Sequence, residues 1–394
     1  MFKRTALLIL VVLLSVSGLG SQAAQAEGGS IFYESRPDEV ALYLSDIAFA
    51  RDTVVLPVEQ DTRVLLPPGT YVNTLILTEN GERVHSYRIT PQSVENSLYS
   101  SYAGNTAYIL SWEPIDSEAE SREVKLEYLL PGASWTPNYD MRVIDDSSVQ
   151  MAFFAEIRNS ALLLDEATVY LIAAQVDLSQ QVDQQAMMQM NQVAVGYADT
   201  EAALPTMGVG TLDLEYIYPA GQITASPGDT VYMNLADATL QARRLLVWNA
   251  AAEAQVDVIY KVTNDTEVPF AQGIVHIYQD NLFRGSDYIE TTPIGSEGSV
   301  TIGNMPDIRV HKSASQEYQS GTLDDYYLNT VVLEVNNFSP ADVDLMILDG
   351  WVEDAWEFEF SLEPERQPDN LFRWEVNIPA GESLTITYHF KTEY

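Results

Sequence analysis

Hydrophobic and polar residues alternate along most of the chain, a pattern typical of β-strands that bury one face. Val124, Leu126 and Tyr128 share one face of an extended segment, and Lys125 and Glu127 share the other. The same alternation separates apolar from polar residues in three further segments, 356–360, 372–378 and 383–390. In each segment one face is expected to pack in a core and the other to meet water.

Turn residues separate these short strands. Proline and glycine cluster at Pro67-Pro68-Gly69, Asn80-Gly81, Pro131-Gly132, Pro227-Gly228 and Pro379-Ala380-Gly381. Short strands with such turns predict an all-β fold of two or three antiparallel, immunoglobulin-like β-sandwich domains. We expect an N-terminal β domain at 27–120, a first sandwich at 121–255 and a C-terminal sandwich at 256–394.

A weak internal repeat supports this fold class. Three alternating strands end at Asn159, Asn264 and Asn337, and each is followed by a short polar loop and a second apolar strand. Asparagine tolerates turn geometry and can bond its own backbone, which explains its place at a strand end. The repeat predicts a hairpin that is used three times.

The segment 175–210 breaks the alternation. It is rich in Gln, Ala and Met, including Ala186-Met187-Met188-Gln189-Met190. Such a composition builds no core, so we expect a flexible insertion, with a short helix around 178–192 allowed by propensity. Thioether ligands select soft metals, so a methionine-rich metal or partner site is the functional alternative.

The N-terminus predicts export. Lys3 and Arg4 precede an apolar run from Ala6 to Leu14, and small residues follow at Ala24-Gln25-Ala26. This order is typical of a secretory signal peptide, 1–26, cleaved before Glu27, with an uncleaved anchor as the alternative. No second long apolar stretch follows, so we expect no membrane span in the mature form and a location outside the cell or in the cell envelope.

Composition narrows the possible partners. The chain has no cysteine, which excludes disulfides and thiolate metal sites. It carries 57 acidic and 20 basic residues, a net charge of −37. Nucleic acid and anionic membranes are therefore repelled, while cations or a basic partner remain possible.

One motif resembles a known family. The strand 124–130 is followed by Pro131-Gly132-Ala133-Ser134-Trp135-Thr136-Pro137-Asn138-Tyr139-Asp140-Met141-Arg142-Val143. This run and the strands after it resemble the mucoidy-inhibitor-A-like family, whose defining region is a domain of unknown function. The resemblance covers about 121–394 and implies a β fold and an envelope location, but no reaction. Members commonly carry an N-terminal β domain followed by a long coiled coil, and no heptad pattern lies between 31 and 122 here.

The residues of this motif have a structural explanation. Pro137 suits a strand entry at a sheet edge, and Trp135 is expected to plug the end of a sandwich. Tyr139 shares the inner face, while Asp140 and Arg142 share the outer face, where they could pair. A sugar-stacking platform at Trp135 is the functional alternative.

Known catalytic and metal-binding patterns are absent from the sequence. The four histidines, His85, His276, His311 and His389, lack metal-ligand spacing. Carboxylates occur close together in three places: Asp324-Asp325, Asp342-Val343-Asp344 and Glu353-Asp354. Asp324 and Asp325 are weak calcium candidates, and no cofactor is expected. Asn264-Asp265-Thr266 and Asn337-Phe338-Ser339 match the glycosylation acceptor pattern.

Three functions remain open from the sequence. The first is a non-catalytic envelope or secreted protein that contacts an envelope protein or a surface polymer. The second is a carbohydrate-binding module, suggested by 22 tyrosines and 6 tryptophans. The third is an uncharacterised hydrolase, for which no acid, base or nucleophile set can be named.

Overall fold

The computed structural model describes residues 25–27, 30–57, 61–93, 106–115, 120–176, 210–212, 215–252, 255–320, 325–368 and 370–393. Nearly all of them belong to β-strands, which confirms the predicted all-β class. Most of the predicted signal peptide and insertion lie outside the described residues. No helix within the described ranges is long and apolar enough to cross a membrane.

The strands are numbered in chain order. The first ten are β1 Gln25–Glu27, β2 Ser30–Glu34, β3 Glu39–Tyr43, β4 Ile47–Pro57, β5 Asp61–Leu66, β6 Ile76–Glu79, β7 Glu82–Arg83, β8 Arg88–Ser93, β9 Thr106–Ser111 and β10 Ser121–Pro131. The next ten are β11 Ala133–Asp145, β12 Ser148–Asn159, β13 Leu164–Ile172, β14 Gly210–Leu212, β15 Glu215–Ala225, β16 Thr230–Asn249, β17 Asp257–Thr263, β18 Gly273–Gln279, β19 Leu282–Ile289 and β20 Glu297–Asn304. The last seven are β21 Ile308–Gln319, β22 Tyr326–Asn337, β23 Val343–Gly350, β24 Trp356–Phe360, β25 Glu365–Gln367, β26 Leu371–Ile378 and β27 Ser383–Glu393. One turn of 3-10 helix, Val72–Thr74, lies between β5 and β6.

The described residues divide into two compact units. One is drawn from 1–37 and 51–129, and the other from 38–50 and 130–394. In the first unit, β2 pairs parallel with β5, β9 pairs antiparallel with both β5 and β8, and β6 joins β10. Val64, Leu77 and Leu126 are buried in its core, and β10 alternates in the predicted phase. The domain bounds given from the sequence stay a prediction.

In the second unit four strands repeat the same pairing three times, and we call this arrangement the asparagine-corner module. The three modules are β12, β13, β15 and β16; β17, β18, β19 and β20; and β22, β23, β26 and β27. In each, the first strand pairs antiparallel with the fourth, and the second with the third. The second strand also pairs parallel with a strand that precedes the module, respectively β3, β11 and β16. The first two strands of a module thus enter different ladders, so the predicted hairpin is wrong and the connection is an arch.

A buried asparagine closes each arch. The side-chain amide of Asn337 donates to the carbonyls of Ala341 and Ile378 at 2.9 and 3.0 Å, and its oxygen accepts from the backbone of Ser339 at 2.9 Å. Asn159 and Asn264 make corresponding bonds to their own loop and to the end of the third strand or the residues just after it. These bonds satisfy carbonyls that the arch would otherwise leave unpaired.

Aromatic rings pack across the cores. The rings of Trp135 on β11 and Tyr218 on β15 meet edge-on with centroids 5.5 Å apart. In the third module, Tyr388 on β27 contacts Phe372 on β26 with centroids 5.7 Å apart. Because these pairs join strands of different sheets, the sheets pack face to face as in a β-sandwich.

Candidate binding surface

The family motif forms β11, and its alternation decides which side chains are buried. Trp135, Pro137 and Tyr139 point inward and are buried, while Asp140 is half-buried and Arg142 is exposed on the outer face. β11 pairs with β12 along its whole length, but its parallel ladder with β18 begins only after the proline. The missing amide donor of Pro137 therefore lies where the β18 side is unpaired.

The inward residues of the motif belong to the core. The indole nitrogen of Trp135 donates to the carbonyl of Ile172 at 2.9 Å, and the hydroxyl of Tyr139 donates to the carbonyl of Ala271 at 2.6 Å. Burial raises the pKa of Tyr139 well above its usual value, so the phenol keeps its proton. Because Trp135 is 0% exposed, its ring cannot stack on a sugar, and the platform hypothesis for this residue is wrong.

The outward residues of β11 lie beside a second row of side chains. Asp140 is the partner of His276 in the parallel ladder with β18, and Arg142 is the partner of Tyr278. The guanidinium carbon of Arg142 lies 4.9 Å from the centroid of the Tyr278 ring, the distance of a cation–π contact. The motif therefore supplies a charged margin to a surface whose rings come from β18.

We call that surface the outer aromatic face, and it consists of Ile274, His276 and Tyr278 on β18 with Phe283 and Tyr288 on β19. Phe283 is 60% exposed, Tyr288 47% and Ile274 42%. The Phe283 ring meets Tyr278 edge-on with centroids 5.6 Å apart and lies 6.3 Å from His276. Exposed aromatic rings grouped with polar side chains are typical of surfaces that bind a partner.

The hairpin between β18 and β19 explains why these rings come together. Asp280 and Asn281 both have positive φ, 53° and 60°, as a tight two-residue β-turn requires. A bulge after Ile277 then brings Phe283 opposite Tyr278. β19 is the last strand in the pairing order on its side of the sheet, so the face lies at the edge of that sheet.

Polar groups accompany the rings. The imidazole Nδ1 of His276 lies 3.0 Å from the hydroxyl of Ser286, and the amide of Asn138 donates to Glu156 at 3.2 Å. Asn138 faces Ile274 across the β11–β18 ladder. The face can therefore offer both ring surfaces and hydrogen bonds to a ligand.

The carboxylates singled out in the sequence make separate local contacts. Asp342 accepts from the backbone of Ala380 at 3.0 Å, and Asp344 accepts from the amide of Asn377 at 2.8 Å. Asp325 is exposed and accepts from the hydroxyl of Tyr318 at 2.7 Å, whereas Asp324 lies outside the described residues. Glu353 and Asp354 are exposed as well. In the ranges that the structure describes, no three acidic or histidine side chains are grouped so as to hold a metal ion.

The four histidines lie on different elements. His85 and His311 are exposed, while His276 and His389 are half-buried. His389 Nδ1 lies 2.8 Å from the hydroxyl of Thr330 on the neighbouring strand. His276 alone among them belongs to the outer aromatic face.

The two glycosylation patterns coincide with arch asparagines. Asn264 and Asn337 are 0% and 1% exposed, and their amide nitrogens donate to backbone carbonyls. A glycan on either nitrogen would remove those bonds and would need space that the core lacks. These sites are therefore structural in the folded chain.

Sequence reasoning missed the buried charged residues. Asp52 accepts from the hydroxyls of Tyr33 and Ser35 at 3.0 and 2.6 Å, and Glu79 pairs with Arg122 at 3.0 Å. All are buried. Each charged residue occupies a strand position where the alternation places side chains in the core. A charged residue at such a position was the signal that the sequence offered.

The fold and the surface define a class: all-β chains with repeated arches and an exposed aromatic face. Comparison with known proteins identifies the family of the chain. It belongs to the family described as a domain of unknown function (DUF4139), whose model matches residues 124–394. It is also 22% identical over 344 residues to "Protein F37C4.5" of Caenorhabditis elegans, an alignment that covers 71% of this chain and 61% of the worm protein. The chain thus matches about three-fifths of that relative's length.

Proposed function

We propose that this chain is an exported, non-catalytic protein of the cell envelope or the cell exterior that binds an envelope protein or surface polymer through the outer aromatic face. The observation that carries the proposal is the exposure of Phe283, Tyr288 and Ile274 on the same face as Tyr278, whose ring contacts Arg142. Exposed rings of this size are costly in water and are typical of contact surfaces.

Two features of the sequence support the location and the subgroup. The basic and apolar order of the N-terminus supports export. The motif from Pro131 to Val143 supports a mucoidy-inhibitor-A-like subgroup with immunoglobulin-like sandwiches.

Carbohydrate binding is the second candidate. Tyr278 and Phe283 offer ring faces for stacking, and Asn138, Asp140 and Arg142 border them with donors and acceptors. A hydrolase is the third candidate and rests only on the many carboxylates of the chain.

Proximity labelling on intact cells of the source tests the proposal. A labelling enzyme fused to the chain should mark a reproducible set of envelope components, and Phe283→Ala with Tyr288→Ala should remove that set. Phe338→Ala is the matched control, because this ring is 64% exposed on the arch of the third module. Labelling that is the same for all three chains would contradict a role of the face.

Two further assays separate the candidates. Binding of the purified chain to a glycan array, lost in the Phe283→Ala, Tyr288→Ala variant, would favour the carbohydrate alternative. Turnover of esters or glycosides by the purified chain would overturn the non-catalytic proposal.

A further inference from the structure

Three side chains from two sheets meet between β21 and the strands of the third module. The ammonium nitrogen of Lys312 on β21 lies 2.5 Å from Oδ1 of Asp349 on β23. The hydroxyl of Tyr388 on β27 donates to the other oxygen, Oδ2, at 2.9 Å, and the amide of Gly350 donates to Oδ1 at 2.9 Å. Lys312 and Tyr388 lie in the four-stranded sheet and Asp349 in the ten-stranded sheet, so the contact joins the two layers.

The surroundings of the pair are largely apolar. Asp349 is 0% exposed, and rings of Phe372 and Trp374 pack against Tyr388 with centroids 5.7 and 6.0 Å away. The side chain of Lys312 is 28% exposed and gives the cluster an opening to water. A separated charge pair is costly in such a place, whereas a neutral amide is not.

We propose that Lys312 and Asp349 join in an isopeptide bond that links the two sheets of the third module. A proton first passes from the ammonium to Oδ1, which gives a neutral amine and a carboxylic acid. The amine nitrogen attacks Cγ of Asp349, the N–Cγ bond forms, and the Cγ–Oδ1 bond breaks. Oδ1 leaves as water with the transferred proton and a second proton from the nitrogen, so no other reactant is consumed.

The neighbouring donors fit this step. Burial first, and then the charge of Asp349, raise the pKa of Tyr388 above its usual value, so the phenol keeps its proton. Its hydroxyl can hold Oδ2 while negative charge develops there, as hydrogen-bond donors do in acyl transfer. Tyr388 is a positioning residue in this account because it binds the oxygen that remains in the amide.

The contact between Lys312 and Asp349 in the folded chain favours amide formation. Amide formation from separate molecules is unfavourable in water, but groups held in contact by a fold behave as if at roughly 10⁵–10⁸ M. The chain has no cysteine and so no disulfide, and this amide would be a covalent link between its layers.

A second lysine pair provides the contrast. Lys391 also contacts a carboxylate, that of Glu357, but Glu357 is 64% exposed. Water competes for both groups there, and within the described ranges Lys391 is the only side chain that contacts the Glu357 carboxylate. We therefore expect no bond between Lys391 and Glu357.

Mass spectrometry of the full chain tests the proposal. The denatured protein should weigh about 18 Da less than its sequence, the mass of one water, and digestion should yield a branched peptide that joins residues 312 and 349. Lys312→Arg, which keeps the positive charge, should show the full mass. Lys391→Arg should keep the deficit, and so should Tyr388→Phe after a longer delay.

Asp349→Asn provides an independent check, because an asparagine at this position can form the same amide with loss of ammonia, about 17 Da. The mass can be measured on any variant that folds, even when its stability differs from that of the wild type. A full-mass wild-type chain without a branched peptide would overturn the proposal. The test does not depend on what the outer aromatic face binds.

Discussion

At the scale of single residues, the three arch asparagines explain how the chain changes sheet. Asn159, Asn264 and Asn337 each bond the loop that follows and the end of a distant strand or its flanking residues. Among side chains of that length, only asparagine carries a primary amide, which offers an N–H donor and a carbonyl acceptor together. The residue type at these turns could be read from the sequence, but its long-range partners could not.

Replacing Asn337 by alanine should lower the free energy of unfolding by about 3 kcal/mol, since the buried carbonyl of Ile378 and the part-buried carbonyl of Ala341 both lose this donor. Guanidinium denaturation measures the change. Asn377→Ala is the control: its exposed amide donates to the exposed carboxylate of Asp344, so the loss should stay within about 0.5 kcal/mol. Equal losses in both variants would refute the special role of the arch.

Buried tyrosines predict how stability depends on pH. Burial raises the pKa of Tyr260 to about 12 and also raises the pKa values of Tyr139, Tyr218 and Tyr388. These groups keep their protons in the folded chain while the unfolded chain releases them above its own pKa, about 10. Their contribution is complete below about pH 10 and is lost as the pH rises toward the folded pKa values.

The free energy of unfolding should therefore fall steadily above about pH 10. Denaturation curves recorded from about pH 8 to 11.5 would show it. Tyr388→Phe should make the fall less steep, because one proton difference is removed. A wild-type stability that stays constant over this range would contradict the inferred burial of these phenols.

Charged residues at buried strand positions were not identified from the sequence. Asp52, Glu79 and Asp349 belong to no known spacing and are single carboxylates at strand positions where the alternation predicts an apolar residue. Their partners lie on other strands, so only the pairing of strands reveals them.

At the scale of elements, Gly273 and Pro137 decide how β18 meets the family motif. A Cβ at Gly273 would lie 2.5 Å from the carbonyl oxygen of Pro137 and 2.9 Å from its Cβ. Backbone atoms cannot move aside as a flexible side chain can. The glycine thus permits β18 to start its parallel ladder beside β11.

Gly273→Ala should cost about 2 kcal/mol of stability and disturb the rings of the outer aromatic face, which depend on the same ladder. Thermal unfolding and the near-ultraviolet circular dichroism of the aromatic residues would report both effects. Gly350→Ala should change little, because its added Cβ meets only ordinary contacts from 3.7 Å outward. A neutral Gly273→Ala would show that the strands are not packed this closely.

Alternation predicted most strands and their faces, with an informative exception. Val124, Leu126 and Tyr128 are buried as expected, but Trp356 is exposed although it was placed on a buried face with Phe358. Glu357 between them has a φ of 51°, and the register shifts there. The left-handed backbone conformation of Glu357 interrupts the alternation of inward and outward side chains. The residue type does not indicate this conformation, because residues other than glycine rarely adopt it.

At the scale of the whole molecule, pairing joins successive modules. The long strand β16 is the last strand of the first module and, farther along, pairs with the first strand of the second. The sequence showed a repeat at Asn159, Asn264 and Asn337 but assigned it to hairpins. The arrangement of the modules depends on which strands pair with each other, and local sequence patterns do not specify that pairing.

The net charge of −37 should make stability depend on salt. Screening shortens from roughly 10 Å at 0.1 M to about 3 Å at 1 M salt, which relieves repulsion among surface carboxylates. The thermal midpoint should therefore rise with sodium chloride over this range. Urea midpoints should rise with added salt too, and a midpoint that falls would contradict surface repulsion as the dominant effect.

Binding to isolated cell envelopes of the source tests the central claim most directly. The purified wild-type chain should sediment with the envelopes, and Phe283→Ala with Tyr288→Ala should weaken binding by roughly 10–100-fold, as expected for two aromatic contacts. Phe338→Ala should bind as the wild type does. Equal sedimentation of the double variant and the wild type, or none by either, would contradict the account of the outer aromatic face.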